Sequence, residues 1–585
     1  MIRMLSTNIT SPLGLTTEEN YRAIRGGATA LRTCEGLWNL PETFCAGLFT
    51  EEQKASLALQ GYTFFEAICI RSAREALSHT HIDVASPKAI LILSTTKGNV
   101  EMLGTKLYYP SEAARRIAQE LGMTTKPIVV QNACVSGLSA QLLAERLLSG
   151  GFYDYAIVVG AEVQCKFIVA GFQSLKAVSS QPCRPFDMER DGLNPGEAAA
   201  TIIFGKPLPK THPSPPVEGG RKVSPSRGDL EGSGMGWYLI NGASRNDAYH
   251  NVSPSPKGDG LLSAINATME GWAVSRLATV SVHGTATLFG DQMESVAIER
   301  AGLSDIPLSA LKGYYGHTMG AAGVLEAIIT MCATDDGIVI APKGFAEAGV
   351  SGRICMNATE MRTEGDAFLK LLSGFGGCNV AALYSRKPLP GPSQESIVHS
   401  YESIVRKVRG QWSMVNSQRQ VVRISSESGQ TPADIYRNET GQGYPKFYKM
   451  DILTRVAFVA AELLMKQTGT ASLPETCAVI LFGHSSSVVS DRHFLSTISS
   501  TDGFFPSPSV FIYTLPNITV GEISIRHHLH GETTFYVLPD KDEALMRQII
   551  TASMAGSQWS MAIGGWVDAE DETDFECEMS IYINE

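Results

Sequence analysis

Four short stretches carry residue types that could do chemistry together. Gln131-Asn132-Ala133-Cys134-Val135-Ser136-Gly137 follows an apolar run and opens a helical one. That puts a sulfur at a helix tip, where the dipole favours thiolate over thiol. Val280-Ser281-Val282-His283-Gly284-Thr285-Ala286-Thr287 ends a short apolar strand in a histidine, with Thr285 and Thr287 after it. Lys312-Gly313-Tyr314-Tyr315-Gly316-His317-Thr318-Met319-Gly320-Ala321-Ala322-Gly323 surrounds a second histidine with small residues just before a helix that carries Glu326 on its first turns. Ser373-Gly374-Phe375-Gly376-Gly377-Cys378-Asn379 is a Gly-rich turn between apolar strands, able to present a backbone N–H as half of an oxyanion hole. Taken singly, each has a plain structural reading: an inert buried thiol, a satisfied histidine, a packing glycine, a tight turn. A strand-end cysteine with two histidines in small-residue settings is much harder to read as accident.

The elements that must position these groups alternate between strand-like and helical patterns through about residue 385, which predicts an α/β fold. Residues 89–93, 128–130, 156–160 and 200–204 are apolar strand candidates, and Leu138 to Leu148 has helical periodicity. At 585 residues the chain needs two or more units. Hydrophobic residues at 44% and charged residues at 18% suit a globular enzyme, and a net charge of −11 without a dense basic run argues against nucleic acid. No run is long and apolar enough for a membrane span, and Met1 to Ser6 lacks the pattern of a secretion signal. The 11 cysteines form no Cys-x-x-Cys pair and the histidines do not take zinc spacing, so free thiols in a reducing cytoplasm and no metal site are expected.

Composition divides the chain into residues 1–386, a linker over 387–430 and a further unit over 431–585. The Pro-, Gly- and Ser-rich stretch 207–234 is expected to be a mobile insertion in the first unit. The last unit echoes the first: the helical stretch from Asp451 resembles that around Ala67 to Leu77, Cys477 to Gly483 resembles Lys88 to Ser94, and Ile549 to Ala562 resembles Ala144 to Ile157. On that alignment Leu515 to Glu522 stands where Gln131 to Gly137 does, without a cysteine. The unit is therefore expected to be a non-catalytic α/β half-domain, removable in principle without loss of chemistry. His527, His528 and His530 are expected to face solvent from a helix rather than to bind metal.

A strand-ending Cys, then His-Gly-Thr-x-Thr, then Lys-x-x-x-Gly-His-x-x-Gly-Ala-Ala-Gly, then Gly-Phe-Gly-Gly, in this order, resembles the β-ketoacyl synthases of fatty-acid and polyketide synthesis over about residues 1–386. Arg184-Pro185-Phe186-Asp187 through Gly196-Glu197, and Asp247-Ala248-Tyr249-His250 through Pro254, support the resemblance. It implies the thiolase-like fold, two α/β halves stacked as α-β-α-β-α layers. It further implies that Cys134 takes an acyl chain from an acyl carrier protein, and that His283 and His317 bind the malonyl thioester carbonyl and assist loss of CO2. Lys312 and Glu326 match the charged pair behind the second histidine. Phe375 matches the gate residue, its N–H joining that of Cys134 in the oxyanion hole. Thr285 and Thr287 match the threonines that touch phosphopantetheine, which the carrier brings, so no cofactor of the chain's own is expected. Family members are homodimers or pair with a chain-length factor, and fused pieces like the last unit suggest an aryl polyene-type pathway. The sequence departs from the family at Leu288-Phe289, Gly313 and Cys378 without losing a reactive group. The alternatives are a non-catalytic chain-length-factor-like partner, disfavoured by Cys134, and a thiolase using Cys378 as a second cysteine, disfavoured by His317.

Overall fold

Runs of apolar residues without polar alternation become strands covered on both faces, as the interior strands of a largely parallel sheet must be. β1 (Ile2–Thr10), β2 (Ala89–Ser94), β3 (Ile128–Val130), β4 (Tyr155–Glu162) and β5 (Ala198–Gly205) build the first half of the fold. β6 (Tyr238–Asn246), β7 (Leu277–Ser281), β8 (Leu308–Ser309), β9 (Ala367–Gly374) and β10 (Cys378–Ser385) build the second. β11 (Val421–Ser425), β12 (Ala478–Gly483), β13 (Thr533–Val537), β14 (Met561–Ala569) and β15 (Phe575–Ile583) belong to the last unit. This computed structural model describes residues 1–206, 235–388, 421–441, 443–468, 473–499, 504–555 and 559–583. The segment 207–234 expected to be a mobile insertion lies outside the described residues.

Eight helices matter below: α1 (Phe64–Ser78), α2 (Pro110–Glu120), α3 (Ser136–Ser149), α4 (Leu288–Arg300), α5 (Ala322–Asp335), α6 (Ile452–Thr468), α7 (Ile518–His527) and α8 (Glu543–Ala555). α1 starts at a capping box in which Thr63 accepts from the Glu66 N–H and Glu66 accepts from the Thr63 N–H. Between the two halves, β1 and β6 pair antiparallel through Ile2↔Leu239 and Arg3↔Tyr238. α3 and α5 fill the space between the halves, with Leu138, Leu142, Val324 and Ile328 in one core with Val158 of β4 and Phe368 of β9. α1 covers the outer face of the first half, with Ile68 and Ala73 against Leu91 and Ile157. α4 covers that of the second, with Met293 and Ile298 against Val280 and Leu369. These are the α-β-α-β-α layers that the resemblance implied.

Among the described residues, fifteen strands form one sheet in the order β8-β7-β9-β10-β6-β1-β5-β4-β2-β3-β13-β12-β14-β15-β11. Read outward from the β3/β13 junction, the two sides match. β2 and β12 are parallel to their inner neighbours, as β4 and β14 are to theirs, whereas β5 and β15, then β1 and β11, pair antiparallel. The junction itself is antiparallel, Tyr536↔Val130 and Val537↔Val129, as a two-fold axis requires. The echo in the sequence is thus a structural half-domain turned about that axis onto the first half.

Three expectations need correction. Val421–Ser425, assigned to the linker, is β11 and pairs with β15, so the last unit begins by residue 421. Leu515 to Glu522 does not stand where the Cys134 turn does. It leads into and occupies α7, which precedes β13 as α2 precedes β3, and the counterpart of the Cys134 turn is the segment after Val537. The sequence misled because Asn517 sits before a helix as Asn132 does, and only strand order distinguishes the two. Last, the histidines do not share a solvent-facing surface. His527 Nε2 lies 3.1 Å from Glu462 and His530 Nδ1 lies 3.1 Å from the Asn246 carbonyl oxygen, while His528, exposed, ends α7 in a left-handed conformation.

The last unit is also not an appendage. Val479, Leu481, Phe535 and Val456 share a core with Leu91, Val129 and Ile157. Arg146 on α3 meets both carboxylate oxygens of Glu532 at 2.7 Å, each side chain at most 4% exposed. Lys97 reaches Asp491 at 2.7 Å, and Asn132 donates to the Thr533 carbonyl at 3.0 Å. Deleting residues 431–585 would uncover this surface and leave buried charges unpaired, so the expectation of a dispensable unit fails on physical grounds. Glu532→Ala should cost about 3–5 kcal/mol in chemical denaturation by leaving a buried guanidinium without its carboxylate. A loss below about 1 kcal/mol would show that the pair does not join the units.

Candidate active site

Close approach of two helix starts brings the sulfur to the second histidine. A Cβ on Gly137 of α3 would lie 3.0 Å from the Gly320 carbonyl oxygen, and one on Gly323 of α5 would lie 2.5 Å from the Leu138 nitrogen. With glycine at both positions, the turn carrying Cys134 and the turn carrying His317 touch. His283 arrives from the end of β7. Cys134 Sγ and one nitrogen from each of His283 and His317 all lie within 4.8 Å of one another. The imidazoles meet edge to face, ring centroids 5.2 Å apart.

A non-glycine residue with left-handed backbone lies within three residues of each reactive group: Ala133 at φ 48° next to Cys134, Ala286 at φ 62° three residues after His283 and Met319 at φ 43° two after His317. Such conformations cost about 1–3 kcal/mol each and persist only where the surroundings impose them. Here they turn the chain sharply so that one side chain per turn points into a shared space.

The imidazoles are held by groups behind them. The His283 and Gly284 N–H groups donate to Glu294 at 2.6 and 2.9 Å, and the His283 carbonyl accepts from Lys312 Nζ at 2.5 Å. Lys312 also meets Glu326 Oε1 at 2.7 Å, and Lys370 meets Glu326 Oε2 at 2.5 Å. Lys370 donates further to the Val282 carbonyl at 2.9 Å. The expected Lys312–Glu326 pair is therefore a trio of two ammonium groups on one carboxylate. His317 Nδ1 accepts the Met319 N–H at 3.2 Å, which puts the imidazole proton on Nε2, a buried atom without a partner among the described residues. His283 Nδ1 is likewise buried and unpartnered.

Burial, then the charge of Lys312, pushes both histidines well below their ordinary range, with Lys370 adding to the effect. Burial alone would raise Glu326, but Lys312 and Lys370 hold it below the usual carboxylate range. Two neutral imidazoles therefore face the sulfur across the physiological pH range. Cys134 differs from the expected helix-tip thiolate. It keeps partial exposure, yet burial pushes its thiol up to about 12 against the opposing charge of Lys312. Desolvation of the anion is the largest influence on this sulfur, ahead of the lowering charge of Lys312.

Phe375 lies in the turn between β9 and β10, where Gly376 at φ 86° and Gly377 at φ 74° need glycine. A Cβ on Gly374 would sit 3.3 Å from the Cys134 nitrogen, so this turn closes over the nucleophile's amide. The Thr285 and Thr287 hydroxyls lie 2.8 Å apart at the start of α4. Cys378 stands apart as a buried thiol bonded to Thr533 at 3.2 Å and Asn132 at 3.4 Å. A sulfur and two imidazoles could ligate a metal ion, but the charges of Lys312 and Lys370 behind them disfavour a dication.

Sequence reasoning missed Lys370, Glu294 and Glu162. Glu162, fully buried, accepts from the N–H groups of Thr96 at 2.8 Å and Gly320 at 3.1 Å, tying the loop after β2 to the His317 turn. The available signal was a charge inside an apolar strand: Lys370 in AFLKLLSG and Glu162 ending YAIVVGAE.

The stacked halves and the Cys-His-His centre between them define a condensing enzyme of the thiolase-like class. Profiles described as "Beta-ketoacyl synthase, N-terminal domain" and "Beta-ketoacyl synthase, C-terminal domain" match residues 68–206 and 238–344, and the chain belongs to that family. It is an acyltransferase whose relatives are 3-oxoacyl-[acyl-carrier-protein] synthases. The chain is 25% identical over 417 residues to 3-oxoacyl-[acyl-carrier-protein] synthase 2 of Vibrio cholerae, covering 64% of this chain and 96% of that one. A β-ketoacyl synthase of Burkholderia phymatum superposes at TM-score 0.56 and 21% identity over 66% of this chain and all of that one. The PfaC keto synthase-chain length factor superposes at TM-score 0.72 and 13% identity, covering 100% of this chain and 78% of that one. No helix among the described residues is long and apolar enough to cross a membrane.

The raised thiol has a measurable consequence. Alkylation of Cys134 by iodoacetamide should rise about ten-fold per pH unit from about pH 6 to 9, since the thiolate fraction grows so below the pKa. A plateau near pH 7, followed by intact mass, would mean a stabilised thiolate instead.

Proposed function

We propose that this chain extends acyl chains by decarboxylative condensation on an acyl carrier protein, in fatty-acid or polyketide synthesis. The observation that carries the reading is the meeting of Cys134 with two neutral imidazoles within 4.8 Å. The Cys134 sulfur attacks the carbonyl of an acyl thioester, and the carrier's thiol leaves with the proton. A malonyl thioester then enters, its phosphopantetheine arm passing Thr285 and Thr287. The C–C bond to its carboxylate breaks, CO2 leaves, and the electron pair moves onto the thioester oxygen. His317 Nε2–H donates to that oxygen and His283 supports it, which needs neutral rings. The enolate carbon attacks the Cys134 thioester, a C–C bond forms, the S–C bond breaks, and the departing thiolate takes a proton from water. The amides of Cys134 and Phe375 hold the oxyanion formed at each attack.

The last unit then acts as a partner built into the same chain. β13 pairs with the edge of β3 and so closes it from within the chain. The likeness in fold to the PfaC keto synthase-chain length factor over the whole chain supports this reading. An aryl polyene-type product is the finer expectation and rests on the fused layout alone. All eleven cysteines are free, which fits a reducing cytoplasm. A purely structural role for the whole chain is disfavoured because the reactive set is complete.

Cys134→Ala should abolish condensation, and Cys134→Gln should release CO2 from malonyl carrier without condensing. Radiolabelled CO2 release and product mass report the two steps separately. Full turnover by the alanine variant would reject the nucleophile, and absence of CO2 from the glutamine variant would reject the histidine roles.

A further inference from the structure

Asn517 is the N-cap of α7, a place where an asparagine side chain ordinarily accepts from the first turn of its own helix. It makes no such bond. Its Nδ2 reaches out of the last unit and donates to the Phe375 carbonyl at 2.8 Å, on the turn that closes over Cys134. The same peptide is held at its other end, where the Gly376 N–H donates to the Asn251 carbonyl at 2.7 Å. Asn251 is itself tied to α7, its Nδ2 donating to Glu522 Oε1 at 2.5 Å, and Glu522 is fully buried. Lys446 and Tyr513, also from the last unit, meet Glu522 at 2.8 and 2.9 Å.

Between Asn517 and Glu522 stands Gly521, one helical turn from Asn517. A Cβ there would lie 2.8 Å from the Gly376 carbonyl oxygen. A Cβ on Gly376 would lie 2.8 Å from Asn517 Nδ2. The helix and the turn thus meet backbone to backbone, with glycine on both sides. Ala133, Leu515 and Ile518 pack together beneath Phe375, so the ring rests on the same helix start. Every polar restraint on the 375–376 peptide described above runs directly or through one residue to α7.

We propose that Asn517 is a positioning residue of the last unit that fixes the Phe375–Gly376 peptide, and through it the orientation of Phe375, whose own N–H is the second donor of the oxyanion site at Cys134. This rests on the reading of Cys134 as the acyl-carrying nucleophile. A diverted N-cap gives up a bond within its helix, and what the chain gains is a gate turn in one orientation. The last unit therefore contributes to the chemistry of the first without placing a residue against the reacting atoms.

Two reactions of the same sulfur separate this role from general support. Acylation of Cys134 by hexanoyl-pantetheine passes through an oxyanion, whereas alkylation by iodoacetamide does not. In the full chain, Asn517→Asp and Asn517→Ala should slow acylation about 10-fold or more, a fraction of what direct removal of an oxyanion donor does. Alkylation should stay within about two-fold. Gly521→Ala, which pushes the Gly376 carbonyl, should split the two rates the same way. Unchanged acylation would overturn the proposal, and so would equal losses of acylation and alkylation in all three variants, the signature of a damaged fold. If the unaltered chain is not acylated at Cys134, the functional reading itself fails, whatever the variants do.

Discussion

Two rungs of antiparallel backbone, Tyr536 with Val130 and Val537 with Val129, hold the molecule's parts in register. β3 is only three residues long and leads directly into the Cys134 turn. An unpaired edge there would leave backbone polar groups of the nucleophile's own strand without partners. β13 supplies those partners, and the Gln131 N–H continues the ladder to the Phe535 carbonyl at 3.1 Å. The polar seam of Arg146–Glu532, Asn132–Thr533 and Lys97–Asp491 grows outward from this junction. Because these groups are buried, their geometry is enforced by the cost of leaving any of them unpaired.

The second organising constraint is electrostatic. Glu326 is caged between Lys312 and Lys370, and both ammonium groups also reach carbonyls of the segment that ends in His283. The charges of Lys312 and Lys370 both oppose protonation of the imidazoles. Protonating either ring there would add a like charge in a poorly solvated place, so both stay neutral. Neutral rings can donate an N–H to a developing oxyanion, and an uncharged site admits an apolar acyl chain.

Much of the centre was legible in residue types. Cys134, His283, His317, Lys312 and Glu326 stand in stretches whose small residues announce close packing, and the structure brings them together. The partners of Lys370 and Glu294 and the role of Asn517 were not legible. A lysine in a strand and a glutamate on a helix have no local signature that names their partners, which lie 44 and 11 residues away in sequence. Asn517 was noticed and assigned to the wrong turn, because a residue's place before a helix looks alike at Asn132 and Asn517.

The amino-acid sequence by itself determined the strands, the helix starts, the reactive residues and the existence of a degraded copy, because each depends on short-range pattern: apolar runs, glycine spacing, a nucleophile beside small neighbours. Tertiary structure alone decided that the copy is joined edge to edge with the first half, that its boundary falls by residue 421, and that α7 clamps the gate turn. Those facts depend on which strand edges meet and which buried charges pair, choices made by contacts between residues hundreds of positions apart that local pattern does not encode.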